Sequence, residues 1–336
     1  MDTVKRFVKK IPALRHKANA AYRQRIDSKI AQVAEKCGAT HCWFHFVQGQ
    51  SVPELTIPVC GLVHDQNFRF YPENSPPGKP EQFQAALESW ITKADLVSVL
   101  SEGGKEEVHS LGPTPEARIE IIPNAILPVS DPVKEEKRAE RQFLYPAAAL
   151  AHKNHILLFQ AALLLAERGL HCRFVICGKD TDQFFSDQPA LNPTVEVARL
   201  FFAKHRATLF EYFDHRGECS WDDLVKLYQT SFAVVLPSKY EGFGLPLVES
   251  LFRNTRVLCS SLIPFQEQVE RYNAQDWVEF FEADDPESLL NVLVNTLENP
   301  SQLPASFPVK NFNAWTWKDV ASRYLSLFQE LSGESS

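Results

Sequence analysis

No apolar run in this 336-residue chain approaches the roughly 18–20 residues that a membrane-spanning helix needs. The longest candidate, residues 156–166, contains Gln160 and lies between His155 and Glu167. The first residues are too basic and too interrupted for a secretory leader, because no apolar core follows them. Cysteine pairing is missing as well. The seven Cys, at 37, 42, 60, 172, 177, 219 and 259, are odd in number and form no C-x-x-C. The expectation is reduced, buried thiols in a cytoplasmic protein, not a disulfide framework or a zinc site. Glycine is sparse, 13 residues against 22 Pro, which suits X-Pro turns more than a Gly-rich linker. The strings G-x-x-x-x-G-K-[ST], G-x-S-x-G and H-E-x-x-H do not occur, so the P-loop, nucleophile-elbow and zincin signatures are absent.

What is present is ordinary for a globular protein: 44% apolar and 23% charged residues. The length suggests two domains or one large one. Charge, however, is unevenly spread. The net charge is −7, yet residues 1–29 hold nine Lys/Arg and only Asp2 and Asp27 as acids. A basic start on an acidic body suggests an anionic partner for that segment. Val4, Phe7, Val8 and Ile11 have helical spacing, Pro12 interrupts, and a second pattern runs through Ala18, Tyr22, Ile26, Ile30 and Val33. Two readings stand open: a solvated helix packed on its own domain, or a helix on an anionic membrane face. No recognition-helix, zinc-finger or aromatic-basic pattern supports nucleic-acid binding.

Short β-branched runs at 57–63, 95–100, 119–122, 143–146, 172–177, 209–213, 232–236, 256–259 and 277–281 alternate with helical stretches. A weaker strand signal sits at 41–47, and a final helix covers about 317–331. Strand–helix alternation with near-continuously apolar strands predicts parallel sheets covered on both faces. The Pro-rich, then charged, stretch 123–141 is the best break. The expected organisation is therefore a shortened first domain over 1–125, a linker at 126–141, a second domain over 142–312, and a closing helix over 313–336 that packs back on the first. Six strand signals follow the break and four at most precede it, so the first domain looks incomplete.

One segment carries most of the chemistry. An apolar strand ends at Pro237-Ser238, and the chain then reads Lys-Tyr-Glu241-Gly242-Phe243-Gly244-Leu245-Pro246-Leu-Val-Glu249. The two glycines let backbone approach a ligand closely, and Pro246 suits the first turn of a helix. A helix start aims free N–H groups and partial positive charge at the loop, which is a phosphate cradle at a strand's carboxyl end. Glu249, placed in the first helical turn, could chelate a diol such as ribose. The dinucleotide fingerprint is not completed, because Leu247 stands where its third Gly belongs.

E-G-F-G-L-P-x-x-E after a strand ending in Pro-Ser resembles the donor-site signature of retaining glycosyltransferases of family 4, which have the two-domain GT-B fold. The stretch 143–162 is similar to that family's segment around a phosphate-binding Lys, here Lys153. Residues 119–124, ending Ile-Pro-Asn124, resemble its interdomain junction. Residues 57–65, ending His64-Asp65 and followed by Tyr71-Pro-Glu, resemble its strand ending in His-Asp; Ser101 matches the Ser after the next strand. The resemblance implies a nucleotide-sugar donor whose diphosphate is held by Lys153 and by the N–H groups of Gly242, Phe243, Gly244 and Leu245. It implies ribose binding by Glu249, catalytic roles at the sugar for Glu241 and His64, and cleft positions for Asp65 and Asn124. It further implies retention and no cofactor; no metal is required, in keeping with the lack of a D-x-D string. The acceptor would be a glycan or a lipid-linked molecule.

Some positions depart from the family. No Arg precedes Lys153 in Ala147-Ala-Ala-Leu-Ala-His152, Ala125 follows the junction Asn, and Asn254 stands for the Gly ending the donor helix. No strand and Gly-rich loop is legible in residues 1–50. That gap favours a second hypothesis, a catalytically weak glycosyltransferase-like subunit that binds a sugar nucleotide or a partner chain. The His152-Lys-Asn-His155 spacing lacks an acidic or thiol companion for metal binding.

Overall fold

The computed structural model describes residues 12–126, 138–299 and 306–333. The first helical pattern, at 4–11, and most of the 126–141 linker lie outside them. Two parallel sheets organise the rest. The first has β1 (Cys42–Phe44), β2 (Val59–Val63), β3 (Leu96–Val99) and β4 (Arg118–Ile121), in that order. The second is built from β5 (Gln142–Pro146), β6 (Arg173–Cys177), β7 (Phe213–Gly217), β8 (Ala233–Leu236), β9 (Arg256–Ser260) and β10 (Val278–Phe281). Its order is β10-β9-β8-β5-β6-β7. Sequence runs outward from β5 on one side and from β8 on the other, so strand order reverses between these neighbours.

The apolar strands divide their side chains by the two-residue repeat of a pleated sheet. Phe143, Tyr145, Phe174 and Ile176 join one core layer, while Leu144, Val175 and Cys177 join the opposite layer. Each layer is closed by helices, His155–Glu167 and Pro286–Glu298 on one face and Leu245–Leu251 and Ile263–Arg271 on the other. The first sheet is similarly filled by Val59, Val97, Val99 and the Trp90 ring. Its other face, with Cys60 and Leu96, is covered by Val320 and Leu327 of the helix Trp317–Ser332. Tyr324 Oη meets Ser98 Oγ at 2.8 Å, and Arg323 pairs with Glu120 at 2.7 Å.

One expectation needs correction. The run 209–213 is not a strand: Arg206–Leu209 is a helical turn and β7 starts at Phe213. β7 is an edge strand, so Asp214 and Arg216 can face outward, where Asp214 also pairs with Arg173. An edge strand does not require apolar residues on both faces. In the helix Pro12–Cys37, Ile26 is 36% exposed and Val33 60%, while Ile26 and Ile30 line a pocket with Phe44 and Val52 of the first domain. Ile30 alone among these three is half-buried.

Candidate active site

The site forms where strand order reverses, the position at which open parallel sheets bind ligands. After β5, a single 3₁₀ turn, Ala151–Lys153, is followed by Asn154 in the left-handed region (φ 58°). The Asn154 side chain donates to Pro237 O at 2.9 Å and Ala283 O at 2.8 Å, fastening this turn to the ends of β8 and β10. Tyr145 Oη donates to Lys153 O. These bonds direct Lys153 at the loop after β8, and Lys153 Nζ reaches Glu241 Oε1 at 2.7 Å. Ser238 Oγ donates to the same oxygen at 2.7 Å. Lys153 and Glu241 are largely withdrawn from solvent, 18% and 11% exposed.

The loop's glycines are required by contacts. Gly244 has φ +91°, and a Cβ there would fall 2.7 Å from the Phe265 ring. A Cβ at Gly242 would fall 2.3 Å from His64 O, so the loop backbone lies against the first domain. The helix after it runs Leu245–Leu251 with Pro246 in its first turn. Leu245 is exposed at its start. Glu249 is its fifth residue, not in the first turn as the sequence spacing suggested, because Gly244 is the N-cap and the helix starts only at Leu245. Its Oε2 accepts from Tyr228 Oη at 2.9 Å, and burial raises its carboxyl above the usual carboxylate range.

His64 follows β2, and its Nε2 lies 2.8 Å from His45 O. Burial, offset in part by that bond, lowers its pKa, which favours the neutral ring. Asp65 Oδ1 accepts from Asn67 N at 3.0 Å at the start of a short helix, and Asp65 also lines the small cavity beside Gly242 and Glu241. Asn124, half-buried beyond β4, takes part in none of these contacts. The Phe243 side chain is buried with Leu62 and Leu100 of the first domain, so it plugs the domain interface. His152 and His155 have separate surroundings. His152 Nδ1 is 2.9 Å from Asn74 Nδ2, and His155 is buried against the Tyr145 and Phe184 rings with its pKa pushed down to about 3 by burial.

Sequence reading missed how firmly the first domain meets this loop. Tyr240 Oη accepts from Gln66 N at 2.7 Å and donates to Glu107 Oε2 at 2.8 Å. Ser101 Oγ donates to Gly242 O at 3.2 Å, and Asn74 Oδ1 accepts from Ala151 N at 2.9 Å. Tyr240 stands beside Glu241 in the motif and could have been singled out. Glu107 and Asn74 carry no motif signal. Between the domains here, His64, Gln66, Glu107, Tyr240 and Gly242 line a cavity of only about 10 Å³.

Two parallel-sheet domains with a ligand loop at the switch point define the GT-B architecture, and solved structures agree. A sucrose-phosphate synthase from Thermosynechococcus elongatus superposes with TM-score 0.65 at 16% identity, covering 92% of this chain and 78% of that one. HepE of Anabaena, solved with UDP and glucose, gives 0.62 at 14% identity, covering 91% and 82%. The chain belongs to the family described as Glycosyl transferases group 1, whose sequence model matches residues 130–307. Among curated relatives, the O-antigen chain mannosyltransferase RfbU of Salmonella typhimurium is 27% identical over 206 residues, 61% of this chain and 52% of that protein. A D-inositol 3-phosphate glycosyltransferase of Corynebacterium urealyticum is 23% identical over 273 residues, 75% of this chain and 61% of that protein. The chain thus spans little more than half the length of these relatives.

Proposed function

We propose that this protein moves a hexosyl group from a nucleotide-sugar to a glycan or lipid-linked acceptor, with retention and without a metal. The observation that carries this reading is the Lys153–Glu241 pair, set at the ends of adjacent β5 and β8 beside Gly242-Phe243-Gly244. In this reading the donor diphosphate takes Glu241's place on the Lys153 ammonium and accepts from N–H groups of the glycine loop. As the bond between the anomeric carbon and the diphosphate breaks, charge grows on the diphosphate, and fixed cationic and amide groups stabilise it there. Glu241, released from Lys153, and neutral His64 from the other domain then face the sugar. Glu249 receives the ribose hydroxyls.

The second reading, a catalytically weak subunit, is favoured by one observation. The loop backbone rests on His64, and the space enclosed between them is about 10 Å³, far below a hexose.

A thermal-shift panel of UDP, GDP, dTDP and their common sugars tests the proposal. A ligand that binds only the native state raises the melting temperature by mass action. The expected result is a shift selective for one base, reduced in Glu249→Gln and Lys153→Ala. Glu249→Gln keeps an acceptor for Tyr228. A panel with no shift for any nucleotide would discard the donor site.

A further inference from the structure

Tyr240 is the residue where the two domains share one hydroxyl. Its Oη accepts from the Gln66 amide and donates to Glu107. Gln66 is fully buried and stands two residues after His64. Tyr240 stands one residue before Glu241, and its ring packs on Phe70 at 5.3 Å. Glu107 rides on the helix Glu102–His109, whose N-cap Ser101 accepts from Gly104 N and donates to Gly242 O. The hydroxyl therefore connects, by hydrogen bonds and two short pieces of backbone, the two groups expected to meet the sugar from opposite domains.

We propose that Tyr240 is a positioning residue, whose hydroxyl pins the Glu241 loop to the first domain and so sets how His64 and Glu241 face one another. Its catalytic consequence rests on the donor reading above; its structural consequence does not. A misplacement of about 1 Å between reacting groups costs on the order of 100-fold in rate. Donor grip, by contrast, depends on Lys153 and Glu249, which the pin does not touch.

Tyr240→Phe removes only the hydroxyl and keeps the ring contact with Phe70. Glu107→Gln keeps an acceptor for the hydroxyl. The first measurement is amide hydrogen exchange of the donor-free protein, read at Gln66, whose N–H loses its acceptor in Tyr240→Phe. Faster exchange at Gln66 and along residues 240–243 in Tyr240→Phe, with wild-type rates in Glu107→Gln, is expected. The second is steady-state kinetics with the nucleotide-sugar that shifts the wild-type melting temperature. There Tyr240→Phe should lose about tenfold or more in kcat with donor KM within about twofold, the signature of an interaction that matters in the transition state. Unchanged Gln66 protection in Tyr240→Phe overturns the pin. So does loss of protection with wild-type kcat, which leaves Tyr240 no positioning role. Faster exchange in a protein that binds no nucleotide supports the pin and removes the donor reading instead.

Discussion

Gly244 shows how a single residue can be fixed by both conformation and space. Its φ of +91° is unfavourable for any L side chain, and Phe265 occupies the Cβ direction. Gly244→Ala is expected to cost about 2–3 kcal/mol of stability, combining backbone strain with overpacking. Denaturant unfolding would show it as a lower midpoint at unchanged slope. A loss within experimental error would mean that the loop relaxes freely around Phe265. The sequence marked this Gly for close approach of backbone to a ligand, whereas the contact that requires it is with the Phe265 ring. Asn254 was legible: it takes φ 59° where the resemblance leads one to expect Gly, and its Oδ1 accepts from Phe307 N. The Lys153–Glu241 pairing was not. The residues lie 88 positions apart, and only the adjacency of β5 and β8 brings them together.

Among the elements, those with two apolar faces were the easiest to read. β5, β6, β8 and β9 start within one residue of the runs seen in sequence, because burial on both sides demands unbroken apolar stretches. Edges were harder. β1 is apolar but only three residues long, and β7 carries Asp214-His215-Arg216, which is not the composition of a buried strand. The helix Pro12–Cys37 belongs with them: its apolar spacing predicts a buried stripe, yet Ile26 and Val33 reach solvent beside exposed Arg25 and Lys29. Reading this start as a membrane-facing segment predicts that Arg25→Glu with Lys29→Glu weakens sedimentation with phosphatidylserine vesicles, most visibly at low salt. Equal binding by wild type and variant would assign the helix to another role.

For the molecule as a whole, the unforeseen property is the closeness of the two domains around the loop after β8. Glu107 reports on it. Burial raises its carboxyl to about 7, helped by Asp65, while the Tyr240 bond and Arg69 oppose the shift; His64 and Glu241 line the same cavity. A carboxyl raised in the folded state stabilises it fully below the ordinary carboxylate pKa, and this contribution is lost as pH rises through the folded value. Between pH 5 and about 7, wild type should therefore lose melting temperature relative to Glu107→Gln, and the difference should level off at higher pH. Parallel melting curves across that range would show that Glu107 titrates as an ordinary carboxylate.

The return of the helix Trp317–Ser332 to the first sheet also orders events during synthesis. Trp315 Nε1 donates to Pro123 O, and Val320 and Leu327 complete the core layer around Cys60, Leu96 and Ile122. Domains commonly fold in the order in which they leave the ribosome. Here the earlier domain cannot close that layer until the last described helix has emerged, after every strand of the later domain. Completion of that layer in the first domain therefore depends on a segment made after every strand of the second.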